Sequence, residues 1–178
     1  MSNNLHYAPK YQFMLFEGPD GAGKTTATAE LTKMLTDSGY DLLWQHAKGT
    51  SGLPPGLSML DYHHNQVSKA IRHLKSARNA VSILDRGCIS EIIYANVFRN
   101  GPSYDAELMW SFMLTAGCQL VVFLPPIEVA WKSAVEKKEP FTELQYGRIW
   151  EAYYAISKQP GVIRYDYTKN GPEVLINE

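Results

Sequence analysis

A short run near the start of the chain, FMLFEGPDGAGKTT at residues 13–26, constrains the fold more than any other stretch. Apolar and aromatic residues lead into a glycine-rich turn, and Gly18, Gly23, Lys24 and Thr25 fill the G-x-x-x-x-G-K-[ST] motif of the phosphate-binding loop. Glycines let such a loop turn tightly and bring its backbone N–H groups close to phosphate oxygens. A strand pattern precedes the motif and a helix pattern follows it, so the sequence predicts a site for a nucleoside triphosphate.

The side chains and backbone of this glycine loop have complementary chemistry for ATP and Mg²⁺. The helix that begins near Lys24 points the positive end of its dipole at the phosphates. Lys24 can bridge the β- and γ-phosphates, and the Thr25 hydroxyl can ligate Mg²⁺. The predicted ATP-binding residues are Gly18, Gly21, Ala22, Gly23, Lys24, Thr25 and Thr26. ATP and Mg²⁺ are therefore the expected cofactors, and a glycine-rich turn that matches the motif by chance is the alternative.

Length and composition are those of one ordinary globular domain. The 178 residues are 45% hydrophobic and carry a formal net charge of −1. A charge this small does not indicate the strongly basic surface that binds nucleic acid or membranes. The two cysteines, Cys88 and Cys118, have neither metal-ligand nor disulfide-framework spacing, and no apolar run approaches transmembrane length. We therefore expect a cytoplasmic protein with no membrane or nucleic-acid partner.

Strand and helix patterns alternate along the chain. The predicted strands cover residues 12–17, 41–46, 81–85, 119–124 and 162–167. The predicted helices cover residues 25–38, 57–78, 90–99, 128–138, 141–158 and 172–176, and a further helix is capped by Ser103 and runs to Gly117. This alternation predicts a three-layer α/β sandwich, in which helices flank a five-stranded parallel sheet. We expect a flexible tail over residues 1–10 and a single domain over residues 11–178.

A second motif follows the third predicted strand, where the chain reads LDRGCISEIIY at residues 84–94. Ligands bind at the carboxyl ends of the strands in parallel sheets, which places Asp85 on the same rim as the glycine loop. Asp85 can hold Mg²⁺ directly or through water. Arg86 is a rigid fork of N–H donors that suits a second phosphate. A salt-bridged Asp–Arg pair is the structural alternative, and the glycine loop in the same chain favours the functional interpretation.

Together, FEGPDGAGKTT and DRGCISEIIY resemble the thymidylate kinase family of P-loop nucleoside monophosphate kinases. That family has Asp-Arg, then a serine and an aromatic residue at the spacing shown here by Asp85, Arg86, Ser90 and Tyr94. The second motif, with the double proline at residues 125–126, also resembles compact kinases of bacteriophages. The resemblance implies ATP- and Mg-dependent phosphoryl transfer to a deoxynucleoside monophosphate, with dTMP as the first candidate.

The resemblance also implies a role for each matching residue. Asp20 would contact the 3′-hydroxyl of the acceptor sugar, and Tyr94 would pack under the deoxyribose. Arg86 would bind the acceptor phosphate, and Lys48 lies close to where the family places a basic residue on that phosphate. The predicted acceptor-binding residues are Asp20, Lys48, Arg86, Ser90 and Tyr94. The predicted catalytic residues are Lys24, Asp85 and Arg86, with Thr25 and Asp85 as metal ligands.

Some positions depart from the family's pattern. Gly21 stands where some members have an arginine that reaches the transferred phosphate, and members without it usually supply arginines from a lid. The predicted lid, around residues 132–141, contains lysines and no arginine. The lid candidates are Lys132, Lys137, Lys138 and, one helix later, Arg148. The family's thymine-binding arginine should fall near residues 62–66, which are YHHNQ here, where a histidine or Asn65 could hydrogen-bond a base or remain an exposed helix residue.

The sequence leaves other functions open. A nucleoside kinase would need a carboxylate base near the acceptor hydroxyl, which Glu17 or Glu91 could supply. A kinase acting on modified bases or ends in DNA and an ATP-sensing regulatory module are further alternatives, and the Asp85-Arg86 motif argues against the module. Thymidylate kinases are usually dimers through helices beside the third strand, so the resemblance implies a homodimer through residues 57–78 and 90–99.

Overall fold

A computed structural model of the chain describes residues 9–47 and 52–177. Its strands are β1 (Phe13–Glu17), β2 (Asp41–His46), β3 (Ala80–Asp85), β4 (Gln119–Phe123) and β5 (Ile163–Tyr165). They form one five-stranded sheet in the order β2-β3-β1-β4-β5, and every neighbouring pair is parallel. The predicted parallel sheet is confirmed.

Helices connect the strands and cover the sheet. Within the described ranges they are α1 (Lys24–Asp37), α2 (Met59–Leu74), α3 (Cys88–Phe98), α4 (Ala106–Thr115), α5 (Ile127–Glu136), α6 (Glu143–Ser157) and α7 (Val174–Asn177). Most ends lie within a few residues of the predicted ones. None of these helices is long and apolar enough to cross a membrane.

The predicted start of the helix after α3 was wrong. Asp105, not Ser103, caps α4, because its carboxylate accepts a hydrogen bond from the backbone N–H of Leu108 at 2.8 Å. Ser103 instead donates its hydroxyl and its backbone N–H to the Glu91 carboxylate, both at 3.0 Å. Both residues are good N-cap types, and the buried acceptor on α3 selects between them.

The core has two layers because alternate residues of each strand point to opposite faces of the sheet. On one face Met14 and Phe16 of β1 pack against the apolar side of α1 and against α7. On the other face Phe13 and Leu15 pack with residues of α2, α3, α4 and α6. Both faces of the central strands are buried, as is usual for parallel sheets with helices on either side.

The carboxyl ends of the three strands on one side of the sheet meet in register. Asp85, the last residue of β3, pairs with Phe16 of β1 and with His46 of β2. The glycine loop follows β1 directly, and Arg86 follows β3 directly. Sheet register therefore places both sequence motifs on one edge of the molecule.

Candidate active site

The glycine loop depends on backbone geometry that side chains would obstruct. Gly18, Gly21 and Gly23 have φ angles of 144°, 80° and 82°, in the range that favours glycine. A Cβ atom on Gly21 would also collide with the carbonyl oxygen of Ala130 and lie 2.9 Å from the backbone nitrogen of Ala134, both in α5. The close approach of α5 explains why this position holds no arginine.

Lys24, the first residue of α1, folds back over the loop. Its Nζ donates to the carbonyl oxygens of Gly18 at 2.7 Å and of Pro19 at 2.8 Å. The side chain is buried, and this burial, with the nearby charge of Arg86, lowers the pKa of Lys24 to about 7. Thr25 and Thr26, the next residues of the helix, are exposed.

Arg86 has a positive φ of 71°, which costs a residue other than glycine about 1 kcal/mol. Strain of this kind is often found at functional sites. Its Nη1 donates to the carbonyl oxygen of Gly18 at 3.2 Å and to the Ser90 hydroxyl at 3.1 Å. Its Nη2 pairs with a carboxylate oxygen of Asp20. Arg86 therefore contacts the glycine loop and the first turn of α3 at once.

Asp20 and Tyr94 complete this network. The Tyr94 hydroxyl donates to Asp20 Oδ2 at 2.7 Å, and the guanidinium carbon of Arg86 lies 5.2 Å from the centre of the Tyr94 ring. Burial opposes ionisation of Asp20, but the charges of Arg86 and Lys24 outweigh it and hold the pKa of Asp20 below its usual value. Burial raises the pKa of Tyr94, which therefore stays a neutral donor. The structure thus brings four of the predicted acceptor-binding residues into one cluster.

Glu17, the last residue of β1, caps the start of helix α3 with its side-chain carboxylate, although it does not belong to that helix. Its Oε1 accepts from the backbone N–H groups of Gly87 at 2.9 Å and Ser90 at 3.1 Å. Its Oε2 accepts from the hydroxyls of Ser90 at 2.5 Å and Tyr153 at 3.0 Å. Complete burial raises the pKa of Glu17 above its usual value. This carboxylate fixes the turn that carries Arg86.

Asp85 has the environment of a cation ligand. Its side chain is buried, and Oδ2 lies 2.8 Å from Nδ1 of His46. Oδ1 has no hydrogen-bond partner among residues 9–47 and 52–177. A buried carboxylate oxygen without a partner is costly, and Mg²⁺ prefers carboxylate, hydroxyl and phosphate oxygens. The unpaired oxygen of Asp85 therefore fits a magnesium ion, for which the Thr25 hydroxyl is the predicted second ligand. Lys48 lies outside the described residues.

A cavity of about 610 Å³ opens beside this cluster, a volume within the range of small-ligand sites. Asp20, Arg86 and Ser90 line it near the glycine loop. Residues of α2, of α3 and of the segment that follows α3 also line it, among them His63 and Arg99. The guanidinium of Arg86 thus lies next to open space as well as next to the loop.

The connection between α5 and α6 forms another wall. A paired hydrogen-bond motif ends α5: the N–H of Lys138 donates to Val135 at 2.9 Å and the N–H of Glu139 to Ala134 at 3.1 Å. The next residues, Glu139 and Phe141, line the cavity. The cations predicted for a lid, by contrast, are exposed: Lys132, Lys137, Lys138 and Arg148.

Sequence reasoning missed several cavity residues. No sequence pattern singles out Glu139, which lines the cavity. Burial there and the charge of Asp20 raise its pKa. Phe141 packs against Phe98 of α3 with a ring-centre distance of 5.5 Å, a contact between segments far apart in the chain. His46 ends β2, and its position at the carboxyl end of a predicted strand was a usable signal. His63 is buried at the cavity, whereas His64 is exposed.

The sheet order, the glycine loop and the helical layers define a P-loop protein with the fold of nucleotide kinases. Two solved structures share this fold. The YorR protein from Bacillus subtilis, in complex with phosphorylated GDP, has a TM-score of 0.60 and 20% identity, with 92% of this chain and 91% of that chain covered. Deoxyadenosine kinase from M. mycoides with bound dATP has a TM-score of 0.51 and 17% identity, with 92% and 94% covered.

Sequence comparison gives the family. A family model described as an AAA domain (AAA_28) matches residues 13–159, and the chain belongs to that family. A curated thymidylate kinase from Nitrosomonas eutropha is 26% identical over 172 residues, which cover 83% of this chain and 80% of that protein. The resemblance to thymidylate kinases found in the two motifs is thereby confirmed.

Proposed function

We propose that the protein transfers the γ-phosphoryl group of ATP to the phosphate of a deoxynucleoside monophosphate, with dTMP as the first candidate. The observation that carries the proposal is the position of two cations. Lys24 in the glycine loop and Arg86 beside the cavity both donate to the carbonyl oxygen of Gly18. Phosphoryl transfer depends mainly on positioning and charge neutralisation, and two convergent cations suit a transfer between two phosphates.

Each residue of the cluster has a place in this reaction. Lys24 and the loop N–H groups bind the phosphates of ATP, and Arg86 binds the acceptor phosphate. Asp20 accepts a hydrogen bond from the acceptor sugar, and Tyr94 packs against that sugar. The Thr25 hydroxyl and the Asp85 carboxylate would hold Mg²⁺, which would supply additional neutralisation of phosphate charge. The diphosphate and ADP are the products.

The state of the carboxylates supports a phosphate acceptor over a hydroxyl acceptor. A phosphate is already nucleophilic at neutral pH, whereas a hydroxyl needs a base. Glu17 is fully buried and accepts four hydrogen bonds, so it has no access to a substrate. Glu91 is buried and bonded to Arg99 and Ser103. Glu91 lines the cavity, but the oxygens of both carboxylates are occupied by protein donors, so neither is placed to accept the proton of an acceptor hydroxyl.

A deoxynucleoside kinase is the second candidate, because Glu139 lines the cavity. Burial and the nearby Asp20 charge raise the pKa of Glu139, which makes this carboxylate a stronger base. In that reaction Glu139 would accept the proton of the attacking sugar hydroxyl. The deoxynucleoside kinase therefore needs the Glu139 carboxylate as a base, and the monophosphate kinase does not.

One coupled assay separates the candidates. Purified protein with ATP and Mg²⁺ is offered deoxynucleoside monophosphates, deoxynucleosides and oligonucleotides in turn, and ADP release is followed. The proposal requires release that depends on a monophosphate, lost at least 100-fold in Arg86→Ala and changed less than about threefold in Glu139→Gln. Release that depends on a nucleoside and is lost in Glu139→Gln would establish the second candidate instead.

Other parts of the proposal follow from the resemblance. Residues 132–141 form a short lid over the phosphates, where Lys132, Lys137 and Lys138 supply positive charge on closure, with Arg148 of α6 as a further cation. The protein acts in the cytoplasm on free nucleotides rather than on nucleic acid, and it forms a homodimer through α2 and α3.

A further inference from the structure

A second polar cluster lies along the cavity, on α2, the first turn of α3 and the residue that follows α3. Its centre is the carboxylate of Glu91, which is buried. Arg99, which follows α3, donates from Nη2 to Glu91 Oε2 at 2.8 Å. The backbone N–H and the hydroxyl of Ser103 both donate to Oε1 at 3.0 Å. Both oxygens of this carboxylate are therefore engaged, and it acts as a support for Arg99.

The guanidinium of Arg99 keeps donors for a ligand. An arginine side chain carries five N–H groups and no acceptor. Among the residues that the structure describes, the hydrogen bonds of this guanidinium to protein go to Glu91 alone. The side chain is 38% exposed and lines the cavity. Because Glu91 fixes one side of the guanidinium and part of the side chain is exposed, the remaining N–H donors point in a fixed direction.

His63 adds a neutral ring to the same wall. Its side chain is buried on α2 and lines the cavity, and Nδ1 is hydrogen-bonded to the Tyr104 hydroxyl. Burial lowers the pKa of His63 to about 4, so the ring is uncharged at neutral pH. The hydrogen bond made by one ring nitrogen selects the tautomer. With the Tyr104 hydroxyl as donor to Nδ1, we assign the proton to Nε2, which makes that nitrogen a donor.

We propose that Arg99 and His63 recognise the carbonyl edge of a keto nucleobase, the class that includes thymine, uracil and guanine. The proposal rests on the proposed function, because it concerns the base of the same acceptor nucleotide. Keto bases present carbonyl oxygens as acceptors, whereas adenine and cytosine present an amino donor at the corresponding place. An amino group facing these two donors would leave both of them without an acceptor.

The aromatic residues of the cavity suit a planar ring beside this edge. Phe98 and Phe141 are stacked at 5.5 Å, and the Tyr94 ring lies 6.2 Å from Phe98. They join α3 to the connection between α5 and α6, so they form an aromatic wall of the cavity. A base stacked on such a wall contributes affinity without selecting among bases. The selection therefore falls to Arg99 and His63.

The test compares kcat/KM for monophosphates with a keto base and for monophosphates with an amino base. Values of kcat/KM are measured with dTMP, dGMP, dCMP and dAMP for the wild type, Arg99→Ala and Arg99→Gln. The control Arg72→Ala removes an exposed arginine from α2. Because each ratio of keto to amino substrate is taken on one preparation, it does not depend on the folded fraction of a variant.

We expect the wild type and the control to prefer keto bases by at least tenfold, and Arg99→Ala to reduce that ratio about tenfold, mainly through KM. A ratio unchanged in Arg99→Ala, or a wild type that prefers dCMP or dAMP, overturns the proposal. Calorimetric binding of the same four monophosphates decides the case if none is phosphorylated. Keto preference in binding without turnover would reject the proposed reaction and retain this site.

Discussion

Lys24 and Arg86 donate to the same acceptor, the carbonyl oxygen of Gly18, at 2.7 and 3.2 Å. The two side chains come from different sequence motifs, and the geometry places their nitrogen atoms no farther apart than the sum of those distances. Lys24 is buried and Arg86 is largely buried, so the two charges repel each other in a medium where they are poorly screened. Asp20, Asp85 and Glu17 offset part of that repulsion, and phosphate groups would relieve it further, so we expect a shared anion site at this edge of the sheet.

Glu17 positions Arg86 without touching it. Replacing Glu17 by alanine leaves two backbone N–H groups and two hydroxyls in the core without their acceptor, which costs about 3 kcal/mol of unfolding free energy. Glutamine keeps an acceptor oxygen for the N–H groups, so Glu17→Gln should cost about 1 kcal/mol. Urea denaturation of both variants checks this order, and equal losses would contradict it.

Turnover should follow the same order, because the turn that holds Arg86 loses its support only in Glu17→Ala. We expect kcat/KM with the preferred monophosphate to fall more than tenfold in folded Glu17→Ala and less than threefold in Glu17→Gln. Full activity in folded Glu17→Ala would show that Arg86 does not need this cap.

Gly21 should tolerate no side chain, because α5 lies against it. Gly39 offers a matched control: its φ of 85° is close to the 80° of Gly21, but a Cβ there would have no described atom within 4 Å. Gly39→Ala should cost about 1 kcal/mol through backbone strain alone. Gly21→Ala should cost about 3 kcal/mol, since overpacking adds to the strain. Denaturation midpoints of the two variants that agree within error would contradict the close approach of α5.

Lys138 occupies a left-handed position, with a φ of 57°, immediately after the end of α5. Glycine is the preferred residue at this position of a helix. Lys138→Gly should therefore raise the free energy of unfolding by about 1 kcal/mol. The neighbouring Lys137 has a right-handed conformation, so Lys137→Gly should lower it. Thermal denaturation of both variants checks the signs, and a destabilised Lys138→Gly would be inconsistent with this helix end.

His63 should make the fold sensitive to acid. Its pKa of about 4 in the folded protein lies below the value of about 6.5 expected when unfolded, so the unfolded chain binds more protons between these values. Stability is therefore lost as the pH falls through 6.5 towards 4, by about 2 kcal/mol between pH 7.5 and pH 5. His63→Asn removes the titration while keeping a partner for Tyr104. The variant should lose less stability over that range, and parallel losses in both proteins would refute the assignment.

Local motifs explain why much of the site could be predicted. Asp20, Arg86, Ser90 and Tyr94 lie at fixed spacings in two short segments, and each segment follows a buried strand. The rule that parallel strands end at one edge then brings the segments together. The alternation of apolar strands and amphipathic helices predicted the sheet in the same way.

The remaining wall of the cavity depends on packing between distant segments. Glu139 and Phe141 line the cavity because α6 and the connection that precedes it pack against α3. No local sequence pattern predicts that contact. The pairing of Arg99 with Glu91 and the loss of Ser103 as a helix cap come from one buried carboxylate that needed donors. Which donors pair with a buried carboxylate depends on the tertiary structure, and a single sequence does not show it.

The most direct test of the shared anion site is calorimetric binding of a molecule that carries both nucleotides, an adenosine and a thymidine joined through five phosphates. If Lys24 contacts the phosphates on the adenosine side and Arg86 those on the thymidine side, one molecule should bind per chain. Its affinity should be at least 100-fold higher than that of ATP. Arg86→Ala should lose about 100-fold of that affinity while its affinity for ATP changes less than threefold. The result that would contradict the account is a wild type that binds this molecule no more tightly than ATP, or an Arg86→Ala variant that weakens both ligands equally.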